Sequence, residues 1–283
     1  MPPEHLTDLT DLCPPASLPA PVPDRQQSPV LGVPVDVLDW TTAVQRICAW
    51  AQARESRYVS ICDAHSIVRA SRDPVHGRHI RAADMVTPDG WPVAWMLRHL
   101  GHPQQQRING PDLMGRLLVE AERLELGVYV YGTTPATLEA LRSALLTRHP
   151  RLRLVGLHSP PFRPLSPEES ADDVARIHAS GAHLVLTGLG CPKEDRWMFE
   201  HRGRVQAVLL GIGAGIDFHA GTVTRAPDWM RDNGLEWLFR LTQEPGRLWR
   251  RYLVHNTLFV VGALRQFARH RPVHTPRDRS PPA

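Results

Sequence analysis

Arg240, Arg247 and Arg251 stand at i, i+7 and i+11 in the stretch GLEWLFRLTQEPGRLWRRY, a spacing that one face of a helix would gather. Arg250 is one position round, and between Arg240 and Tyr252 only Glu244 opposes them. A guanidinium presents its donors in a planar fork that fits two phosphate oxygens at once. Such a face suits a strongly anionic ligand, and the diphosphate of a sugar nucleotide is the expected one. Trp237, Trp249 and Tyr252 interleave with the arginines, whereas an ordinary solvated face mixes lysine with glutamate. The following residues, LVHNTLFVVGALRQFARHR, set large apolar side chains beside Arg265, Arg269 and Arg271. That mixture fits an amphipathic helix on an anionic membrane surface, and equally a core helix with a basic outer side.

Asp89 is the candidate for proton transfer. It follows the apolar run DMVTP and precedes an apolar helix, so its carboxylate faces the ligand side of a sheet and can take a proton from a hydroxyl. Asp89-Gly90 is also an ordinary turn dipeptide, which alone would explain it. Asp63 and His65 occupy the same position after an earlier strand. Two glycine runs, GLGCPK (Gly188, Gly190) and GIGAGID (Gly211, Gly213, Gly215), resemble dinucleotide fingerprints and fail as such. The third position is Lys193 in one and Ile216 in the other, and no glycine-lysine-serine or threonine follows either run. They read either as tight strand-to-helix turns alone or as turns whose bare N–H groups approach phosphate oxygens at a helix N-terminus. The 15 histidines form no HExxH set and no DxD triplet occurs, so no metal and no cofactor are expected.

Positioning these groups requires a scaffold, and the pattern supplies one. Short apolar runs (RYVSIC, GVYVY, HLVLT, QAVLL) alternate with helical segments from Ala64 to Arg72, Gly110 to Leu124, Thr134 to Thr147 and Pro167 to Ser180. That alternation means βαβ units, an α/β fold with a mainly parallel sheet flanked by helices. Ligands of such sheets bind beyond the C-terminal strand ends, where TPDG, YGTTP, GLGCPKED and GIGAG fall. Residues 1–28 read as a disordered proline-rich leader, 29–225 as the catalytic core, 226–271 as an arginine-rich helical appendage and 272–283 as a disordered tail. Truncation after Gly234 is expected to leave a folded, nearly inactive core.

With 283 residues, 42% hydrophobic and 22% charged, the chain is an ordinary globular protein with room for a sizeable core. The net charge of +4 comes almost wholly from arginine, Lys193 being the only lysine. The cysteines have no paired spacing, so a reduced, cytosolic setting without disulfides is expected. No signal peptide and no membrane-spanning stretch are read. A Rossmann-type oxidoreductase is disfavoured by the broken fingerprints. A basic nucleic-acid-binding module lacks any reader motif or stacking platform, and a non-catalytic membrane adaptor would show lipid binding without UDP binding.

Taken in order, TPDGWPV, RINGPDL, GLGCPKEDRWM, GIGAGIDFHAGTVTRAPDWM and GLEWLFRLTQEPGRLWRRYL resemble the WecG/TagA/CpsF family of bacterial glycosyltransferases, over roughly Val30 to Phe267. The resemblance implies a Rossmann-like fold and a C-terminal appendage that completes the active site and docks on the inner face of the cell membrane. It also implies inverting transfer of a sugar from a UDP-sugar (N-acetylmannosamine, its uronic acid, glucose or glucuronate) to a polyprenyl-diphosphate-linked saccharide. By position it makes Asp89 the base, places Arg107 near the ligand, and gives Arg240, Arg247 and Arg250 the UDP diphosphate. Gly110 and Asp112 of RINGPDL, Gly132 of YGTTP, Arg225 and Arg251 join Asp63, His65, Gly188, Gly190 and Glu194 as substrate-binding residues. Two positions depart from the pattern. Glu194-Asp195 replaces the usual glutamine-glutamate, and a carboxylate cannot donate as an amide does unless protonated. Ile61 replaces a threonine after the first strand. Donor, acceptor, linkage and self-association are left open.

Overall fold

The computed structural model describes residues 24–269. It opens with β1 (Gln27–Val30) and β2 (Val33–Asp36), an antiparallel hairpin. Gln27 and Ser28, read above as the end of the leader, are already in this strand. The turn residues Leu31 and Gly32 both have positive φ (50° and 78°), as a tight two-residue hairpin demands. Pro29 and Pro34 mask the strand in the sequence, because proline is tolerated only where a ladder N–H is not needed.

The chain continues through α1 (Trp40–Gln52), β3 (Arg57–Cys62), α2 (Ala64–Arg72), α3 (Pro74–Arg81), β4 (Met85–Pro88) and α4 (Trp91–His99). Next come α5 (Gly110–Arg123), β5 (Val128–Gly132), α6 (Pro135–Arg148), β6 (Leu154–His158), α7 (Pro167–Ser180) and β7 (Leu184–Gly188). The last elements are α8 (Lys193–His201), β8 (Val208–Gly211), α9 (Gly215–Ala220), α10 (Asp228–Asp232), α11 (Glu236–Gln243) and α12 (Pro245–Arg269). Polar caps start many of the helices: Asp39, Asp63, Asn109 and Thr134 each accept a first-turn N–H.

β3 to β8 form one sheet in the order β4-β3-β8-β7-β5-β6, every neighbouring pair parallel. The expected α/β class holds, and all C-terminal strand ends share one edge. Side chains alternate between two cores. Tyr58, Tyr129, Val185 and Leu209 face one, beneath α2, α3, α4 and α8. Val59, Val128, Val130, Leu186 and Leu210 face the other, beneath α1, α5 and α6. A parallel sheet needs both faces covered, which is why its strands read as near-continuous apolar runs.

Two expectations about the C-terminal segment are corrected. Arg240 and Arg247 do not share a helix, because α11 stops at Gln243 and α12 begins at Pro245. Glu244 between them is non-helical (φ −132°, ψ 58°), as the residue before a proline prefers. The i, i+7, i+11 run therefore does not lie on one helix. Nor is the segment a detachable flap. Phe259 and Ala263 of α12 are buried in the same core as Tyr58, and α12 lies along α2. Gln266 accepts the Leu31 N–H (2.8 Å) and donates to the Pro29 carbonyl (2.7 Å). Truncation after Gly234 would strip cover from α2 and the hairpin, so the truncated chain is expected to lose stability as well as activity.

Candidate active site

Two carboxylates meet at the β3/β4 end of the strand edge. Asp63, directly after β3, caps α2 by accepting the Ser66 N–H at 2.8 Å. Asp89, directly after β4, donates its own N–H to the Cys62 carbonyl (3.1 Å), which fixes it beside the end of β3. Its Oδ1 accepts the Gly90 N–H at 2.5 Å. Gly90 has φ +76°, and a Cβ there would lie 3.8 Å from Asp63 Cβ. The turn thus needs glycine and brings the two acids together.

The loop before α5 runs alongside: the Ile108 N–H donates to the Pro88 carbonyl at 3.0 Å. This places Arg107 Nε 3.8 Å from Asp89 Oδ1. Desolvation pushes the Asp89 carboxyl up to about 6, with Arg107 pulling against it and Asp63 and Glu236 adding to the rise. Yet a quarter of the side chain stays open to solvent (25%). A carboxylate that ionises near neutrality and can still be reached from outside is suited to accept a proton.

From Arg107 a chain of opposite charges runs into the C-terminal helices. Its Nη2 donates to Glu236 Oε2 in a short bond, and its Nη1 to the Arg231 carbonyl at 3.2 Å. Glu236 Oε1 faces Arg225 Nε at 3.6 Å. Arg225 in turn donates to Asp112 Oδ1 at 2.5 Å and to Asn109 Oδ1 at 3.3 Å. Arg231 lies 3.6 Å from the same Asp112 oxygen. Burial works against ionised Asp112, but the bonds from Arg225 and Asn109 hold its carboxyl down at about 2. Asp112 and Arg225, both expected to touch substrate, are here bound to each other.

The other half of the edge is lined by backbone. Gly132 and Gly188 are paired at the ends of β5 and β7, and a Cβ on Gly132 (φ +119°) would come within 2.7 Å of the Gly188 carbonyl carbon. Here the connections diverge, β5 leading outward to β6 and β7 inward to β8, the crevice where open α/β sheets take ligands. Gly190 has φ +75° and open space where a side chain would be. Gly110 is different: a Cβ there would meet the Ile212 carbonyl oxygen at 3.0 Å, so it serves close packing of α5 on the loop after β8. Glu194 is buried (8%) beneath that loop, its Oε1 3.4 Å from the place a Gly213 Cβ would take. Its neighbour Asp195 is also buried and accepts the Ser60 hydroxyl at 3.0 Å. Burial lifts the Asp195 carboxyl to about 6 against that bond.

The remaining sequence candidates scatter. His65 packs edge-on against His255 of α12, ring centres 4.3 Å apart. Arg240 lies over the Phe218 ring at 5.8 Å. Arg250 is exposed over Trp249 at 5.2 Å and does not join the group around Asp89. No ion pair among the described residues involves Arg240 or Arg250. The side chains of Arg247 and Arg251 lie outside the described residues. Glu236 and Arg231 were missed by sequence reasoning. Glu236 stands in the first turn of α11, where an acid reads merely as a match to the helix dipole.

His76, Cys191 and Asp195 bring an imidazole, a thiol and a carboxylate within 4.8 Å of one another. Sulfur, nitrogen and oxygen donors suit zinc. The His76 Nε2 to Cys191 Sγ separation is 3.9 Å, and the cluster is wider than the ~3.6 Å edge of a tetrahedral zinc site. Burial raises the Cys191 thiol and lowers His76 to about 4, so both stay uncharged at neutral pH, and the Cys191 sulfur accepts the Ser66 hydroxyl at 3.6 Å.

The structure thus sets a part-exposed carboxylate beside an arginine at the edge of a parallel α/β sheet where ligands of such folds bind. Residues 28–273 match the model of the Glycosyl transferase WecG/TagA/CpsF family, and the chain belongs to that family. It is a glycosyltransferase of that type, a class that uses a sugar donor and an acceptor.

Proposed function

We propose that the enzyme transfers a sugar from a UDP-sugar to a polyprenyl-diphosphate-linked saccharide with inversion, Asp89 acting as base. The observation that carries this reading is Asp89 itself, solvent-reachable at the end of β4 with a carboxyl lifted to about 6. The acceptor oxygen attacks the anomeric carbon, the bond from that carbon to the β-phosphate oxygen breaks, and the hydroxyl proton passes to Asp89. The donor diphosphate lies along the strand edge past Gly188, facing Gly190, where bare backbone leaves room for phosphate oxygens. Arg107, beside Asp89, and Arg225, joined to it through Glu236, counter the charge that develops on the leaving UDP, with Arg240 as a further cation. Asp63 stands beside Asp89 at the same strand edge, with His65 two residues on in α2, and Glu194 lies beneath the loop after β8. The N-acetylmannosamine and glucose or glucuronate donors fit this scheme alike.

Membrane docking is proposed for α12. Trp249, Leu253, Val260 and Leu264 recur at helical spacing and are exposed, with Arg250 beside them, in a stripe that borders the one burying Phe259 and Ala263. Aromatic, aliphatic and arginine side chains on one face suit the boundary of an anionic bilayer. No described helix is long and apolar enough to cross a membrane. This face would hold the enzyme peripherally at the inner membrane surface, close to its lipid-linked acceptor.

Asp89→Asn tests the assignment. Loss of the base should lower turnover by roughly 10²–10⁴-fold, with UDP binding by calorimetry nearly intact. Folding also opposes ionisation of Asp89: its contribution to stability is present below the unfolded value near 4 and lost as pH rises through about 6. The variant should therefore melt no lower than wild type at pH 7.5. Retained turnover would sink the base; a lowered melting temperature would assign the carboxylate to structure.

A further inference from the structure

We propose that Glu236 is a positioning residue for the transfer, delivered by α11 so that its two oxygens hold Arg107 and Arg225 and seat the C-terminal helices over Asp89. The geometry is specific. One oxygen takes Arg107 Nη2 and the other faces Arg225 Nε at 3.6 Å, while Arg107 Nε points to Asp89 at 3.8 Å. The Glu236 side chain is 17% exposed and that of Arg107 18%, so neither is a solvated surface group. A part-buried carboxylate between two guanidiniums cannot be removed cheaply, because each cation would lose one of its partners at the same time.

Three consequences follow for the site. Arg107 is shared, so it cannot move fully onto Asp89 and hold the base permanently ionised and ion-paired. Glu236 also adds negative charge near Asp89. The groups facing Asp89 are Asp63 from the end of β3, Arg107 and the Gly90 N–H from its flanking loops, and Glu236 from α11. Two raise its affinity for a proton and two lower it. Finally, Glu236 contacts the two cations that a donor diphosphate would need, so it holds them in place until that anion arrives.

The inference deepens the glycosyl-transfer reading and rests on it for the kinetic result alone. Two measurements need no substrate. Amide exchange over residues 228–243 should speed up about tenfold or more in Glu236→Gln, the effect of losing a charge-assisted contact, and recover in part in Glu236→Asp. The Asp89 carboxyl ¹³C shift, assigned by its disappearance in Asp89→Asn, should titrate at lower pH in Glu236→Gln than in wild type. The reason is that a negative neighbour has gone while Arg107 is released toward Asp89. In turnover, the acid limb of the kcat/KM profile should move the same way and KM for donor should rise more than kcat falls. A side chain that merely fills space would be replaced by glutamine without moving either titration. Unchanged exchange, or an unmoved Asp89 titration, overturns the proposal. If wild type transfers no sugar from any sugar nucleotide, the glycosyl-transfer reading fails, while the exchange and ¹³C results still decide the role of Glu236.

Discussion

The chain beyond Ala226 meets the α/β core at two places built from opposite materials. At the near end, α10 and α11 are held by charge: Arg231 and Glu236 engage Asp112, Arg225 and Arg107. At the far end, α12 is held by apolar contact. Phe259 and Ala263 enter the core, Phe267 meets the Trp95 ring edge-on at 6.0 Å, and a Cβ on Gly262 would run into Leu31. Apolar burial offers no charge for protonation, ionic screening or a bound anion to act on. A part-buried charge network responds to all three. The far end is therefore an anchor, and the near end, beside Asp89, is the part that a phosphate-bearing ligand can rearrange.

The largest effect that would sharpen this contrast is Phe259→Ala. Emptying that site should cost about 3–5 kcal/mol of stability, measured by denaturant unfolding. Its midpoint shift should be the same at low and high salt. A loss below about 1 kcal/mol would mean that α12 is only loosely laid on α2 and that the anchor is elsewhere.

The near end should behave in the reverse way. A double-mutant cycle of Asp112→Asn with Arg225→Gln should show a coupling of about 1 kcal/mol, kept modest because the Asp112 side chain is 36% exposed. Raising salt to about 1 M should reduce it, since charge screening acts over a few ångströms there. A coupling that ignores salt would make the near end a second anchor.

The smallest expected effect is on acid stability. The Asp112 carboxyl sits at about 2 when folded, below its unfolded value near 4. It therefore stabilises the fold above that unfolded value, and the contribution is lost as pH falls from about 4 toward 2. Asp112→Asn should flatten the stability curve in that window by about 1 kcal/mol and leave it unchanged at neutral pH apart from a constant offset. An unaltered acid limb would show that Arg225 does not hold Asp112 ionised.

Much of the scaffold was legible because its signals are local. RYVSIC is β3 to the residue, and Pro167–Ser180 is bounded by a Ser166–Glu169 capping box and a left-handed Gly181. Asp89 was legible too, since a carboxylate one residue past a parallel strand must stand at the ligand edge. The arginine face was misjudged where one local rule outweighed another: helical spacing was counted through Pro245, whose ring ends the run. The hairpin at Gln27–Asp36 was obscured by two prolines and by Leu31, a residue type that rarely takes positive φ. Its turn is held from far away, by Gln266.

Sequence by itself determined the parallel α/β sheet, the side to which its strand ends point and the carboxylate waiting there, because period, capping and turn chemistry act between residues a few positions apart. Only the tertiary structure decided who partners whom at that edge. Arg107 and Glu236 are 129 residues apart, and no pattern in the chain announces their bond. A charge finds its counter-ion through space, after the core has packed, and that packing left Arg250 outward and Arg240 resting on Phe218 while it set Arg107 and Arg225, from outside the arginine run, on either side of one glutamate.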